Sequence, residues 1–302
     1  MKLGVSRISD EQRQRVITLR RNNSLSKVSE LVGLPLGTVK TILSRSGRFK
    51  DNPKHRAMFT LPEEQKATST QPATLDLPPQ QVVTGDKEVD ALLWLRAVIS
   101  TGQAGLIERA MEAAKRIETP FKELEKRYHD YLHVSQPGNF FATFGAIGFA
   151  DLDSLAKKSI MREQRRCEAL ARFGDAIFDD TRAEVFCTEM LRGLDPRKDV
   201  IGYDKHEAAE RFKQCPEYLP NTLADCLYEL DYWSQLYRLR NAYDSYYDTS
   251  PESSAREWFI FGLLAEIRPR NRDEAKAVLK YMRDHERTDM DESDDIMDNL
   301  LM

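Results

Sequence analysis

Several short signatures of enzymes and membrane proteins are missing from this sequence. It has no G-x-x-x-x-G-K-[ST] loop for nucleotide phosphates, no G-x-G-x-x-G dinucleotide motif and no H-E-x-x-H helix of zinc proteases. No apolar run approaches the roughly 18 residues that a membrane-spanning helix needs. These absences argue against a nucleotide-dependent enzyme, a metalloprotease and a membrane protein. We therefore expect a protein that is not an enzyme and that uses no metal or cofactor.

Cysteine is scarce and unpaired in the sequence. The four cysteines, Cys167, Cys187, Cys215 and Cys226, form no C-x-x-C pair. Scattered single cysteines in a chain of this length are typical of reduced core residues rather than of disulfides or zinc ligands. The first fifteen residues lack the apolar stretch of a secretory signal. The expected compartment is the cytoplasm.

The small net charge of −4 hides a strong asymmetry along the chain. Residues 1–60 contain 13 Lys and Arg against 4 Asp and Glu, a balance of +9. Residues 61–302 contain 32 Lys and Arg against 45 Asp and Glu, a balance of −13. Only the first sixty residues have the electrostatics that binding to nucleic-acid phosphates requires, and any contact elsewhere needs a local basic patch.

Residues 24–46, SLSKVSELVGLPLGTVKTILSRS, have the pattern of two short helices joined by a tight turn. Ser24 or Ser26 can cap the first helix, Gly33 ends it, and Pro35 suits the first turn of the second. A preceding helix over 10–21, with Ser9 and Gln12 placed for a capping box, completes a three-helix unit. The apolar residues that recur at helical spacing and form its core are Val16, Ile17, Val28, Val32, Leu34, Val39 and Ile42.

The outer face of the second helix carries short and basic side chains that can approach a DNA major groove. The residues expected to face the bases are Thr38, Lys40, Thr41, Ser44 and Arg45. The residues expected to contact phosphates are Arg13, Arg20, Arg21, Arg48 and Lys50. The basic residues that follow, up to Arg56, form either a solvated tail or an arm that clamps phosphates.

The string LPLGTVKTILSRS resembles the last helix of the promoter-recognising domain of bacterial sigma factors, and recognition helices of related regulators. This resemblance implies a helix-turn-helix module that binds double-stranded DNA near the bacterial nucleoid. One residue departs from the pattern: Ser29 stands where such motifs more often carry alanine. The plan of a short helix-turn-helix joined to a helical domain also resembles poorly characterised regulators of bacterial prophages.

The whole sequence predicts an all-α protein in four parts. Residues 1–60 form the DNA-binding domain, and 61–85, rich in Pro, Thr and Gln, form a flexible linker. Residues 86–290 form a helical domain of eight or nine helices for interaction or oligomerisation, and 291–302 form an acidic tail. Helices are expected near 86–100, 105–118, 120–133, 152–173, 181–191, 222–246, 251–267 and 272–285.

Four further features have both a structural and a functional interpretation. His129 and His133 share one helix face, but surface histidines are favoured over a metal site. The Phe/Gly segment 138–149 is either a buried connection, which is favoured, or an exposed docking loop. The tyrosine-rich helix 228–247 favours a core or subunit interface over stacking of single-stranded bases. The acidic tail is either a solvated terminus that ends in a short amphipathic helix, which is favoured, or a DNA mimic, or an inhibitor that folds back on the basic residues.

The leading hypothesis is a sequence-specific DNA-binding protein, a transcriptional regulator of phage or prophage type that pairs through its helical domain into a homodimer. The alternative is a DNA-tethered interaction or inhibitory protein whose helical domain captures a host protein. A third hypothesis is a nuclease or recombinase subunit, with carboxylates assembled from distant positions.

Overall fold

A computed structural model describes residues 8–47, 49–65, 77–137, 147–196 and 202–301. Over these residues the protein is all-α, as the sequence predicts, with fourteen α-helices and no strand. The helices are α1 Asp10–Asn22, α2 Leu25–Val32, α3 Leu36–Ser46, α4 Pro53–Met58, α5 Lys87–Ile99, α6 Ala104–Ala114, α7 Phe121–Ser135, α8 Leu152–Phe173, α9 Arg182–Leu191, α10 Lys205–Lys213, α11 Leu223–Tyr243, α12 Pro251–Glu266, α13 Arg272–Asp284 and α14 Ser293–Leu301. None of these helices is long and apolar enough to cross a lipid bilayer.

The helix-start signals near the N-terminus form as predicted. The Ser9 hydroxyl accepts a hydrogen bond from the backbone N–H of Gln12, whose side chain accepts one from the N–H of Ser9. Ser24, not Ser26, caps α2, and Gly33 ends that helix at φ 69°, a left-handed conformation that glycine adopts without a Cβ clash. Pro35 lies one position earlier than expected, at the N-cap of α3.

The chain folds into two compact units. The first contains the described residues of Met1–Pro62, Phe178–Tyr237 and Tyr246–Met302, and the second those of Glu63–Ile177 and Arg238–Ser245. The N-terminal helices thus share a unit with the C-terminal ones, whereas the sequence predicts separate domains for them at 1–60 and 86–290.

Helix α11 lies at the centre of the first unit. Most of its circumference is buried, including Leu223, Leu230, Trp233 and Leu236, whereas Asp231 is exposed. Charged side chains such as Glu229 are buried among these apolar residues, which explains why the sequence of this helix shows no clear apolar stripe. Tyr232 and Trp233 are core residues, as the favoured interpretation of this segment expects, but Tyr237, Tyr243 and Tyr246 are exposed.

The second unit has its own core, formed by α5, α6, α7 and the start of α8. Leu92 and Ile99 of α5 and Leu124 of α7 are fully buried there. The turn between α5 and α6 needs Gly102, because a Cβ at this position would lie 2.7 Å from the backbone oxygen of Ser159 in α8. This close approach fixes the α5–α6 pair against α8.

The expected linker, 61–85, falls partly on 66–76, which lie outside the described residues. Its described ends have no regular structure but make specific hydrogen bonds. The backbone N–H of Gln65 donates to the carbonyl of Ala171, and the Trp94 indole donates to the carbonyl of Pro78, each over 2.8 Å. Asp90 accepts hydrogen bonds from the N–H groups of 83–85. These ends are held against the helices of the second unit.

Two helices, α4 and α10, are absent from the sequence-based prediction. Both begin with a strong cap: Asn52 precedes Pro53 at the start of α4, and Asp204 precedes α10. Their buried residues lie four apart, His55 with Phe59 and Ala208 with Phe212. Because both segments are short and mostly charged, this pattern of two apolar positions is weak in sequence.

The acidic C-terminus contains a packed helix rather than a fully solvated tail. The side chain of Asn299 in α14 donates hydrogen bonds to the carbonyls of Leu264 and Ile267, over 2.8 and 2.7 Å. Ile296 is fully buried on the same helix. The predicted short amphipathic helix is therefore present, and it packs on α12.

Candidate nucleic-acid interface

Helices α1, α2 and α3 pack around a small apolar core. Val16 and Ile17 of α1, Val28 of α2, and Val39 and Ile42 of α3 are buried, as the sequence predicts. Val32, Leu34 and Leu43 also contribute to this core. The turn between α2 and α3 is closed by Ser29, whose hydroxyl donates to the carbonyl of Leu34. The residue that departs from the sigma-factor pattern therefore has a role in this turn.

The exposed side of α3 carries most of the residues expected to face the bases. Lys40, Thr41, Ser44 and Arg45 are exposed, and Thr38 is half-buried. With about 100° between successive helix positions, they lie on one continuous arc opposite the buried side. Lys40 is at one edge of the arc and Thr38 is at the other. The Thr41 hydroxyl donates to the carbonyl of Gly37 over 2.9 Å, which leaves its oxygen able to accept another hydrogen bond.

A groove between α1 and α3 runs along the Thr38 edge of this arc. It has a volume of 370 Å³, and its lining includes Arg13, Thr38, Thr41 and Arg45. Arg13 pairs with Asp10 across 3.1 Å at a solvent-exposed site, an interaction too weak to withhold the guanidinium from a stronger anion. The structure therefore brings one expected phosphate-binding residue together with three of the residues expected to face the bases.

The Lys40 edge borders a second groove, which contains Arg20. The guanidinium of Arg20 donates to the carbonyl of Asn23 over 2.9 Å and lies 5.9 Å from the centre of the Phe49 ring. Lys40 and Arg20 line this groove together with Arg268 and Arg270 from the C-terminal part of the unit. Six of the ten expected DNA-binding residues thus line two grooves that flank one exposed helix face.

Of the other three expected phosphate contacts, Lys50 is the one with a described side chain, and it lines neither groove. Lys50 is exposed, and its carbonyl accepts a hydrogen bond from the Asn221 side chain over 3.2 Å. Arg48 lies outside the described residues. Arg21 belongs to α1, but its side chain is also outside them.

The basic residues at 54–56 are neither a solvated tail nor a free phosphate clamp, because each contacts a carboxylate. Lys54 pairs with Glu217 over 2.7 Å, and Arg56 pairs with Asp225 and with Asp51, each over 2.8 Å. Asn52 donates from its side chain to the carbonyls of Glu217 and Leu219. The side chains of Lys54, Arg56 and Asn52 are therefore already paired with carboxylates and carbonyls of the C-terminal part.

A fully buried charge cluster lies beneath this segment. His55 Nε2 is 2.6 Å from Glu229 Oε2, and Arg256 donates to both oxygens of Glu229 over 2.7 and 3.0 Å. Burial alone would raise the pKa of the Glu229 carboxyl, but the adjacent Arg256 and His55 hold it below its ordinary value. Trp233 donates a further hydrogen bond to the same carboxylate.

Four phenylalanine rings surround the guanidinium of this cluster. The guanidinium carbon Cζ of Arg256 lies 5.1 to 5.7 Å from the ring centres of Phe59, Phe186, Phe212 and Phe259. Cation–π attraction offsets part of the cost of removing the charge from water. No bulk solvent reaches these groups, so we assign the cluster a structural role.

The other features noted in the sequence do not assemble a second site. Both His129 and His133 are exposed, and the described residues contain no group of three or more metal-ligating side chains. Most of the Phe/Gly segment lies outside the described residues, but Phe149 is buried and stacks on Tyr128 with a centroid distance of 4.7 Å.

All four cysteines are free thiols in the structure. Cys187 and Cys226 are core residues, and burial raises the pKa of both thiols. Cys215 is half-buried. Cys167 is exposed, contrary to the expectation that all four lie in the core.

Comparison with protein-family models, with curated proteins and with solved structures found no match to this chain.

Proposed function

We propose that this chain is a sequence-specific DNA-binding protein, with α3 as the helix that enters the major groove. The observation that carries this proposal is the outer face of α3, where hydroxyl and basic side chains form one exposed arc on a helix whose opposite side packs on α1 and α2. Hydroxyls of Thr and Ser can bond to either edge of a base pair, and arginine prefers the O6 and N7 atoms of guanine.

The unpaired positive charges among the described residues of α1–α3 also favour DNA as the partner. The described side chains of Arg15, Lys40 and Arg45 make no ion pair with other described residues. Such solvated cations exchange counterions for phosphates at little cost. The acidic helices of the same unit keep non-specific attraction low, which favours selection by sequence over general binding to polyanions.

We also propose that the chain regulates transcription as a pair of copies on DNA. Pairing is expected because one such module reaches only a short stretch of the duplex. A single recognition helix contacts only a few base pairs, so we expect two copies of the chain on a two-fold symmetric site. Because α1–α3 share a compact unit with the C-terminal helices, we expect a fixed spacing between half-sites. A freely tethered module would tolerate variable spacing.

The test is selection of duplexes from a random-sequence pool by the intact chain, followed by titration with the selected duplex and a scrambled one. Lys40→Ala should weaken binding, because it removes a cation at the edge of the exposed arc. The matched control is Lys54→Ala, which removes the same charge from a side chain already paired with Glu217. Failure to enrich any sequence would contradict the proposal, as would equal binding by both variants.

A further inference from the structure

Three arginines interrupt the acidic C-terminal part of the sequence. Arg268 and Arg270 lie in the loop between α12 and α13, and Arg272 is the first residue of α13. This run is the kind of local basic patch that DNA contact outside the first sixty residues requires. Its position in the fold decides whether it can act with α3.

The structure brings two of these arginines to the Lys40 edge of α3. Arg268, Pro269 and Arg270 line one groove of 300 Å³ together with Arg20 of α1 and Lys40 of α3. The apolar part of the lining is Leu25, Leu43 and Phe49. Four cations from three separate elements therefore meet in one groove beside the exposed arc of α3.

The arginines of this loop are fixed in place by their neighbours. Arg270 pairs with Asp51 over 2.9 Å and with Glu274 over 3.0 Å, which anchors the loop to the segment after α3. Arg268 donates from Nη1 to the carbonyl of Asn299 over 3.2 Å. An arginine fork held in this way loses little conformational entropy when it binds an anion.

We propose that this groove binds a DNA backbone phosphate next to the bases that α3 contacts, with Arg268 as a phosphate contact contributed by the C-terminal part of the chain. Arg20 and Lys40 complete the pocket, and Arg270, which two carboxylates already hold, positions the loop. Phosphates border the major groove on both sides, so a cationic groove beside the recognition helix is where one should lie. This inference rests on the proposed DNA binding.

The experiment measures affinity across a range of salt concentrations for the selected duplex and for a random-sequence duplex. Arg268→Gln should weaken binding to both duplexes by the same factor, about fivefold at roughly 0.15 M salt, and lower the salt slope by about 0.9. Arg268→Lys should keep the slope of the unmodified chain, because it keeps the charge. Arg272→Gln is the matched control, since it removes an exposed arginine at the start of α13 that does not line the groove.

Arg268→Gln also removes the hydrogen bond to the carbonyl of Asn299 in α14, so a second substitution is needed that leaves this bond in place. Pro269→Glu places a carboxylate in the groove without removing the hydrogen bond to Asn299, and it should weaken binding to both duplexes. Unchanged salt slopes for Arg268→Gln and Pro269→Glu would overturn the inference, as would an equal loss in Arg272→Gln. If Arg45→Ala still weakens binding in that case, the proposed function stands; if the unmodified chain binds neither duplex, the proposed function fails instead.

Discussion

Two basic stretches of the first sixty residues, 8–46 and 50–60, have opposite environments in the fold. In the first, cations such as Arg13, Lys40 and Arg45 lie on the surface of α1 and α3. In the second, Lys54, His55 and Arg56 all contact carboxylates of the C-terminal part. The docked stretch has the higher net positive charge per residue, with 3 Lys and Arg against 1 Asp in 50–60 and 7 Lys and Arg against 3 Asp and Glu in 8–46. Local charge density therefore cannot by itself distinguish a DNA-binding surface from a docked segment.

The difference is caused by partners that lie far away in the sequence. His55 and Glu229 are separated by 174 positions, and Arg56 and Asp225 by 169. The second stretch also places Phe59 in the core, with its ring 5.9 Å from that of Trp233. Deleting residues 1–60 would therefore remove part of the core along with the DNA-binding face, and point substitutions are the better way to separate their roles.

The largest effect is expected from breaking the buried cluster that holds the second stretch. Glu229→Ala leaves Arg256 and His55 buried without their anion, which should lower the free energy of unfolding by about 3–5 kcal/mol. Chemical denaturation measures this loss. Glu217→Ala is the control, because Glu217 pairs with Lys54 at the surface. Equal losses in the two variants would show that the cluster does not hold the second stretch.

The same cluster predicts a smaller, acid-dependent loss of stability. Because Arg256 and His55 lower the pKa of Glu229 in the folded chain, the carboxylate stabilises the fold above its unfolded pKa of about 4.3. That contribution should disappear as the pH falls through the lower, folded pKa. The free energy of unfolding of the unmodified chain should therefore fall more steeply in acid than that of Glu229→Gln, and parallel curves would contradict this.

The sequence predicts helices and caps well because these depend on neighbouring residues. Ser9 with Gln12 and Gly33 act as their local patterns indicate, and the outer face of α3 follows from helical periodicity. The burial of His55 and the approach of Arg268 to Lys40 depend on tertiary contacts and carry no local signature. The cap of Asn52 with Pro53 is the one local signal that could have identified the docked helix α4.

Two arginine substitutions, one in each stretch, should have different effects: one on the free energy of unfolding and the other on DNA affinity. Arg56→Ala leaves buried Asp225 without a charged partner and should lower the free energy of unfolding by about 1–2 kcal/mol, with little change in DNA affinity. Arg45→Ala should leave stability unchanged and weaken binding to the selected duplex roughly tenfold, because it removes a base or phosphate contact. Denaturation and gel-shift titration of both variants provide the comparison. If Arg56→Ala loses as much DNA affinity as Arg45→Ala, the second stretch also contacts DNA, and the proposed difference between the two stretches is wrong.

The smallest effect is expected at the surface pair of α1. Arg13 and Asp10 are both exposed, so Arg13→Ala should change the free energy of unfolding by less than about 0.5 kcal/mol. If Arg13 exchanges Asp10 for a phosphate in the complex, the same variant should lower the salt slope of DNA binding by about 0.9. Asp10→Ala supplies the opposite control: it frees the guanidinium and should leave that slope intact. An unchanged slope in Arg13→Ala would remove Arg13 from the phosphate contacts and leave Arg20, in the groove on the Lys40 side of α3, as the contact that α1 contributes.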